Sequence, residues 1–327
     1  MYVVAGVSCY ANSAITSLFS LPSFVDYLSS CPNNNMAVEP VTAELWRLLT
    51  SDGPSELTSL RRLIPGERWM AAEQQDAAEF CLSVITSLQN QADDGGLQLQ
   101  NLLTLMKETE YVCQTCKNVQ MDREGGADSI TLLPIKASLS QSFESAMMNP
   151  SRPPFRENCL CSTTGPTTFV GQTKITKYPV CWVFQLGRFN DRGEKNNQLI
   201  EVPRIWRPAG LEYHLRAAII HTGGQSISSG HYRALRFESD GQWRMVDDEN
   251  VYCMNPQDAE VMIKKAAYIL YYDMQQGESQ IMKRLKSSNN DDPLPLLAVV
   301  EQVKGNFAGP AGDDSVPKQP QIGRAHV

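Results

Sequence analysis

The chain has 327 residues, 42% of them hydrophobic and 20% charged, with a net charge of −7. That length holds one large core or two ordinary ones, and the acidic balance argues against nucleic acid and is compatible with a basic protein partner. No apolar run approaches the roughly 20 residues that a membrane-spanning helix needs, and nine cysteines behind an opening, Met1 to Val4, with no secretory pattern predict reduced thiols in the cytosol or nucleus rather than a disulfide framework.

Near the start, Gly6-Val7-Ser8-Cys9-Tyr10-Ala11-Asn12-Ser13 runs into Ile15, Leu18, Phe19 and Leu21. This is the apolar spacing of a helix, with Cys9 in or just before its first turn. Unpaired N–H groups and the positive end of the helix dipole favour an anion there, so the position predicts a thiol drawn toward the reactive thiolate. Taken alone, such a cysteine is more often a small buried apolar side chain. Further helices are expected over Val41 to Leu49, ending at Asp52-Gly53-Pro54, and over Glu56 to Leu63, ending at Pro65-Gly66. Another is expected from Glu73 to Leu88, with Gln74, Gln75, Asp76 and Glu79 at its N-terminal end. Read alone, that polar cluster is a capped, solvated helix start.

From Tyr111 the pattern turns to strands. Cys113 and Cys116 form a C-x2-C turn, and Cys159 and Cys161 a shorter C-x-C pair. Two such turns at neighbouring hairpin tips could set four thiolates around a structural zinc; two ordinary reduced pairs are the alternative. Ser138 to Met148, between them, reads as a short helix. Dense β-formers follow at Val180 to Leu186, Leu211 to Ile220, His231 to Phe237, Gln242 to Val246 and Ala266 to Tyr272, with a helix over Pro256 to Ile263. Past Asp273 the composition becomes that of a disordered tail, with a short helical stretch near Leu296. The last residues, Ile322 to Val327, match one reading frame of a common sequencing adapter and are set aside from the chemistry.

Three histidines are candidate bases for Cys9. His214 lies inside a strand, where a histidine reads as structural, and His221 ends that strand before Gly223-Gly224, where it could shape the loop. His231 follows a Gly- and Ser-rich loop and opens a strand, and Asp247 and Asp248 lie at the end of the next one. Adjacent antiparallel strands bring those side chains together, as a carboxylate must be to orient an imidazole.

Taken jointly, these stretches resemble the ubiquitin-specific proteases, the papain-like deubiquitinases. The segment around Cys9 is similar to the family's Cys box, and Gln74-Gln75-Asp76-Ala77-Ala78-Glu79-Phe80 to its QQD-x-x-EF element. Leu186-Gly187-Arg188-Phe189 resembles its Leu-x-Arg-Phe strand end, and His221-Thr222-Gly223 its His-Ser-Gly. Gly230-His231-Tyr232, with Trp243 to Asp248 and Ala267 to Tyr272, resembles the His box and closing strand, all in the family's order over about residues 5 to 273.

The resemblance implies an α+β fold of the papain-like type: a helical thumb over about 1–108, β-fingers over about 109–177 and an antiparallel β-palm over about 178–273, with 274–327 as tail. It implies a cysteine protease with Cys9 as nucleophile, His231 as base and Asp247 as orienter, Asp248 beside them, and Gln74, Gln75, Asp76 and Tyr232 on the substrate's tail. Its partners would be ubiquitin and ubiquitinated proteins, met by a monomer that needs no cofactor for catalysis and no nucleic acid or membrane; the cysteine pairs would hold structural zinc. The family's asparagine five residues before the nucleophile, an oxyanion donor, is here Val4. Losing one such donor costs about 3 kcal/mol of transition-state stabilisation, so a weakly active ubiquitin-binding scaffold is the second reading. A zinc module for nucleic acid is the third, and it lacks the basic patch with interleaved aromatics that such binding uses.

Overall fold

Proline and glycine punctuate the helical region much as the spacing predicts. The structure, a computed structural model, describes residues 8–31, 39–51, 56–91, 96–122, 126–135, 141–142, 155–159, 161, 167–190, 192–224 and 229–275. Six helices come first: α1 Cys9–Leu18, α2 Pro22–Ser30, α3 Pro40–Thr50, α4 Thr58–Leu63, α5 Ala77–Gln91 and α6 Gly96–Leu103. The apolar spacing after Cys9 spans two of them, because Pro22 cannot continue α1 and instead occupies the first turn of α2. Asp76 ends the approach to α5: its carboxylate accepts the Glu79 N–H at 2.8 Å, so Glu73, Gln74 and Gln75 precede the helix rather than open it.

The strands are β1 Leu105–Cys113, β2 Val119–Asp122, β3 Ala127–Asp128, β4 Thr131–Pro134, β5 Gln141–Ser142, β6 Phe155–Cys159, β7 Thr167–Lys177, β8 Cys181–Gly187, β9 Ile200–Glu201, β10 Ile205–Trp206, β11 Tyr213–Thr222, β12 His231–Phe237, β13 Trp243–Asp247, β14 Asn250–Met254 and β15 Ala267–Met274. A seventh helix, α7 Pro256–Ala266, precedes β15; Asn255 caps it by accepting the Gln257 N–H at 2.9 Å. One sheet runs β2-β1-β7-β6, with β3 beside β1; a larger one runs β14-β13-β12-β11-β15-β8-β4, with β10 beside β11. Every pairing in the larger sheet is antiparallel except β4 with β8, so Thr131–Pro134 leaves the first sheet's stretch of sequence to join the second sheet. Of the helix expected over Ser138 to Met148, only 141–142 fall within the described residues. They form β5, parallel to β9, where backbone pairing with Ile200 and Glu201 overrides the weak helical spacing. The tail after Gln275 lies outside the described residues.

The larger sheet carries the main core, in which Trp182, Phe184, Trp206, Tyr213 and Tyr272 interlock with rings 4.8–6.2 Å apart. Strands β8 and β15 are buried on both faces, which is why they appear in the sequence as dense β-former runs. Helix α1 lies between α5 and β12, and all ten of its residues are buried. A second aromatic group, Tyr10, Trp69 and Phe80, locks α1 to the segment before α5. Buried Asp273 at the end of β15 ties the helices to the sheet, accepting the Ser23 N–H at 2.9 Å and the Ser23 hydroxyl at 2.7 Å. Arg188 is wholly buried and donates to the carbonyls of Asn196, Gln198, Lys264 and Ala267, so it stitches the end of β8 to α7 and β15.

Candidate active site

Hydrogen bonding between β12 and β13 runs up to Ala234 opposite Val246, which carries the start of one strand toward the end of the other. His231 therefore meets Asp247: its Nε2 lies 2.5 Å from Asp247 Oδ1. An Nε2–H donated to that carboxylate leaves the lone pair on Nδ1 free to accept a proton. His214 is engaged elsewhere, 2.7 Å from Glu212 Oε1. His221 is buried with its ring against Tyr232 and Phe189, and burial pulls its pKa down to about 4, so it stays neutral. A Cβ at Gly230 would sit 2.6 Å from His221 Nε2, and the glycine's φ is +130°; the residue before His231 has to be glycine for both reasons.

Cys9 occupies the first position of α1, and α1 packs against β12, the strand that His231 opens. The thiol-bearing helix and the imidazole-bearing strand are therefore neighbours, and the backbone N–H groups of Tyr10 and Tyr232 act to lower the thiol's pKa. The expected thiolate is not what this arrangement favours. Burial pushes the Cys9 thiol above its usual range, the two N–H groups pull it back, and the charges of Asp248 and Asp247 push it up again. Desolvation outweighs the helix terminus because Cys9 is only 6% exposed.

Asp248 turns back onto α1. It sits between β13 and β14 with φ of 51°, and its Oδ1 accepts the Nδ2–H of buried Asn12 at 2.9 Å. His231, Asp247 and Asp248 hold their ligand-type atoms within 4.8 Å of one another. Asp76 is spent on architecture. Besides capping α5, its Oδ2 accepts the hydroxyls of Tyr268 at 2.6 Å and Tyr232 at 3.4 Å. Tyr232, expected at the substrate, instead has its ring buried at 1% exposure, because alternate residues of β12 face the core. Gln74 and Gln75 remain half-buried before α5, and Gln74 Nε2 has no acceptor among the described residues. Val4 lies outside the described residues. Sequence reasoning missed Tyr268 and the tie from Asn12 to Asp248, both contacts between distant segments; only a motif-wide reading of Asn12 could have flagged it.

In the smaller sheet, Cys113, Cys116 and Cys161 bring their sulfurs together, with Cys113 Sγ and Cys161 Sγ 3.6 Å apart. Four thiolates around a tetrahedral zinc, each about 2.3 Å from it, stand about 3.8 Å apart, so these residues fit the ion. The turn after β1 makes the knuckle: the Lys117 N–H bonds to the Cys113 carbonyl at 3.1 Å, and Lys117 takes the left-handed conformation. The fourth candidate, Cys159, pairs through its backbone with Thr167 in β6 and β7; its side chain lies outside the described residues.

A helical lobe whose Cys9-bearing helix packs on a largely antiparallel sheet carrying the His231–Asp247 pair has the papain-like fold of the ubiquitin-specific type. A model of the ubiquitin carboxyl-terminal hydrolase family matches residues 2–272, and the chain belongs to that family. It is similar to ubiquitin carboxyl-terminal hydrolase 36 of Drosophila ananassae, 24% identical over 94% of this chain and 32% of the relative. It is likewise similar to ubiquitin carboxyl-terminal hydrolase 25 of Arabidopsis thaliana, 24% identical over 93% of this chain and 52% of the relative. The chain thus spans about a third to a half of those relatives' lengths. Among solved structures, the SAGA DUB module Ubp8/Sgf11/Sus1/Sgf73 bound to monoubiquitin matches in fold with a TM-score of 0.67 and 20% identity, covering 84% of this chain and 69% of that one. The same module bound to ubiquitin aldehyde gives a TM-score of 0.65 at 19% identity, with the same coverage.

Proposed function

We propose that the protein hydrolyses the amide joining the C-terminal glycine of ubiquitin to an amine, through a thioester on Cys9. One observation carries this reading: the helix that opens on Cys9 packs against the strand that opens on His231, whose Nε2 is held by Asp247. With Nε2 committed, Nδ1 takes the thiol proton as the sulfur attacks the carbonyl carbon. The tetrahedral oxyanion collapses, the C–N bond breaks, and Nδ1–H protonates the departing amine. Water, giving its proton to Nδ1, then attacks the thioester and releases the glycine carboxylate and the thiol. Because burial favours the neutral thiol, proton transfer to His231 accompanies the attack on the carbonyl. Gln74 and Gln75 would hydrogen-bond the extended tail, and Asp76 would fix the turn that presents them. Cys113, Cys116, Cys159 and Cys161 would hold a structural zinc that pins the hairpin ends.

Val4, where the resemblance implies an oxyanion donor, and the raised thiol favour one second reading, a ubiquitin-binding scaffold with feeble turnover. Ubiquitin bearing a C-terminal electrophile separates the two. Covalent capture by the wild type that is abolished in Cys9→Ala, together with release of a fluorogenic ubiquitin amide, supports hydrolysis. Tight binding with neither capture nor release establishes the scaffold. A marked gain of turnover in Val4→Asn would place the deficit at the oxyanion.

A further inference from the structure

Asp247 has two carboxylate oxygens, and the mechanism above uses only Oδ1. The other is occupied. Arg233 Nε lies 3.1 Å from Asp247 Oδ2, while His231 Nε2 lies 2.5 Å from Oδ1. The period of two on β12 puts His231 and Arg233 on the outer face, with Tyr232 and Ala234 turned into the core. Continuing the β12–β13 register past Ala234 and Val246 sets Arg233 beside Asp247. The Arg233 Nε–H is not aimed along the line to the oxygen, so the contact is an ion pair rather than a directed hydrogen bond. Both side chains are about a quarter exposed, at 29% and 25%, so the attraction is only partly screened by water.

We propose that Arg233 is a positioning residue for the hydrolysis: it clamps the far oxygen of Asp247, so that the carboxylate cannot swing away and the His231 imidazole keeps Nε2 on Oδ1, leaving Nδ1 for the thiol proton. This inference rests on the proposed function. Two effects of the guanidinium oppose each other. It fixes the orientation of Asp247, and it also weakens the negative potential that steadies the imidazolium when His231 takes the proton. At an ion-pair distance from Asp247, with the carboxylate standing between it and the ring, orientation is the larger effect. Removal of the guanidinium therefore slows the chemistry without loosening the substrate.

The experiment compares wild type, Arg233→Met and Arg233→Lys with a fluorogenic ubiquitin amide. Arg233→Met is expected to lose about tenfold in kcat with KM unchanged, and Arg233→Lys to recover part of the loss because an ammonium restores the charge but not the planar fork. A double-mutant cycle with Asp247→Asn reads the coupling: if Arg233 acts through Asp247, its removal costs little further in that background. An unchanged or raised kcat, a change confined to KM, or additive losses in the cycle overturns the proposal. Circular dichroism and binding of ubiquitin to each variant separate misfolding from mispositioning. Absence of turnover and electrophile capture in the wild type itself would instead defeat the proposed function.

Discussion

Asn12 donates its side-chain amide to Asp248 across 2.9 Å, joining residues 236 apart in sequence. The bond ties the helix that bears Cys9 to the turn that follows Asp247. Since Asp248 holds a left-handed backbone at φ of 51°, its carboxylate is carried toward α1 and gains a partner there.

Breaking that bond should be felt in stability and rate together. Asn12→Ala is expected to cost about 1–2 kcal/mol, the loss of a hydrogen bond to a partly solvated carboxylate, and to lower turnover. Asn12→Asp should be worse, because two carboxylates would then face each other. Denaturant unfolding beside a fluorogenic ubiquitin assay checks both; equal stability in all three proteins would show that the bond does not hold α1 to the turn after β13.

The raised thiol of Cys9 carries a signature in alkylation. Burial, its largest cause, and the charge of Asp248 both push it up, so iodoacetamide should modify Cys9 at neutral pH more slowly than exposed Cys253. Asp248→Asn removes one of the raising charges and should speed the Cys9 reaction. Mass spectrometry of the two peptides reads this directly, and a Cys9 that outpaces Cys253 in the free protein would contradict it.

Asp273 predicts a pH dependence of stability. Burial raises its carboxyl from 3.8 to about 6, against the pull of the Ser23 N–H and hydroxyl. The folded protein then holds that proton more tightly than the unfolded chain. Its contribution is full below about pH 4 and is lost as pH rises through about 6, some 3 kcal/mol in all. Asp273→Asn keeps a neutral partner for Ser23 and should lose this slope. Urea unfolding at about pH 4.5, 6 and 7.5 compares the two proteins; the same slope in both would assign it to other groups.

Zinc makes the fourth prediction. Purified protein should contain one zinc per chain, and Cys116→Ser should lose it and loosen the hairpin of β1 and β2. Elemental analysis with hydrogen exchange over Leu105 to Asp122 measures both, and metal-free protein of unchanged exchange would retire the cysteine site.

Much of this was legible in the residues. Strands β8, β11, β12, β13 and β15 fall on the dense β-former runs because one or both of their faces are buried, and Pro256 and Asn255 announce α7. The meeting of His231 with Asp247 followed from two consecutive strands and needed no knowledge of the rest. What stayed hidden depends on packing between distant segments. Strand β14 is exposed from Asn250 to Cys253, so it shows no burial pattern to read. The parallel pairing of β4 with β8 joins residues about fifty apart. The Cys9 charge state was misjudged because helix position is visible in a sequence, whereas desolvation by a sheet more than two hundred residues away is not. Tyr268, which takes the carboxylate of Asp76, carried no local signal at all.

That last contact bears on how the protein is made. Asp76 finds Tyr268 192 residues later in the chain, and at a translation rate of about 5–20 residues per second the two are born roughly 10 to 40 s apart. Through that interval Asp76 lacks the hydroxyl that lies 2.6 Å from its Oδ2 in the folded chain, and Tyr232 reaches it first, 156 residues on. The support at the start of α5 is therefore completed only when β15, the last strand among the described residues, takes its place.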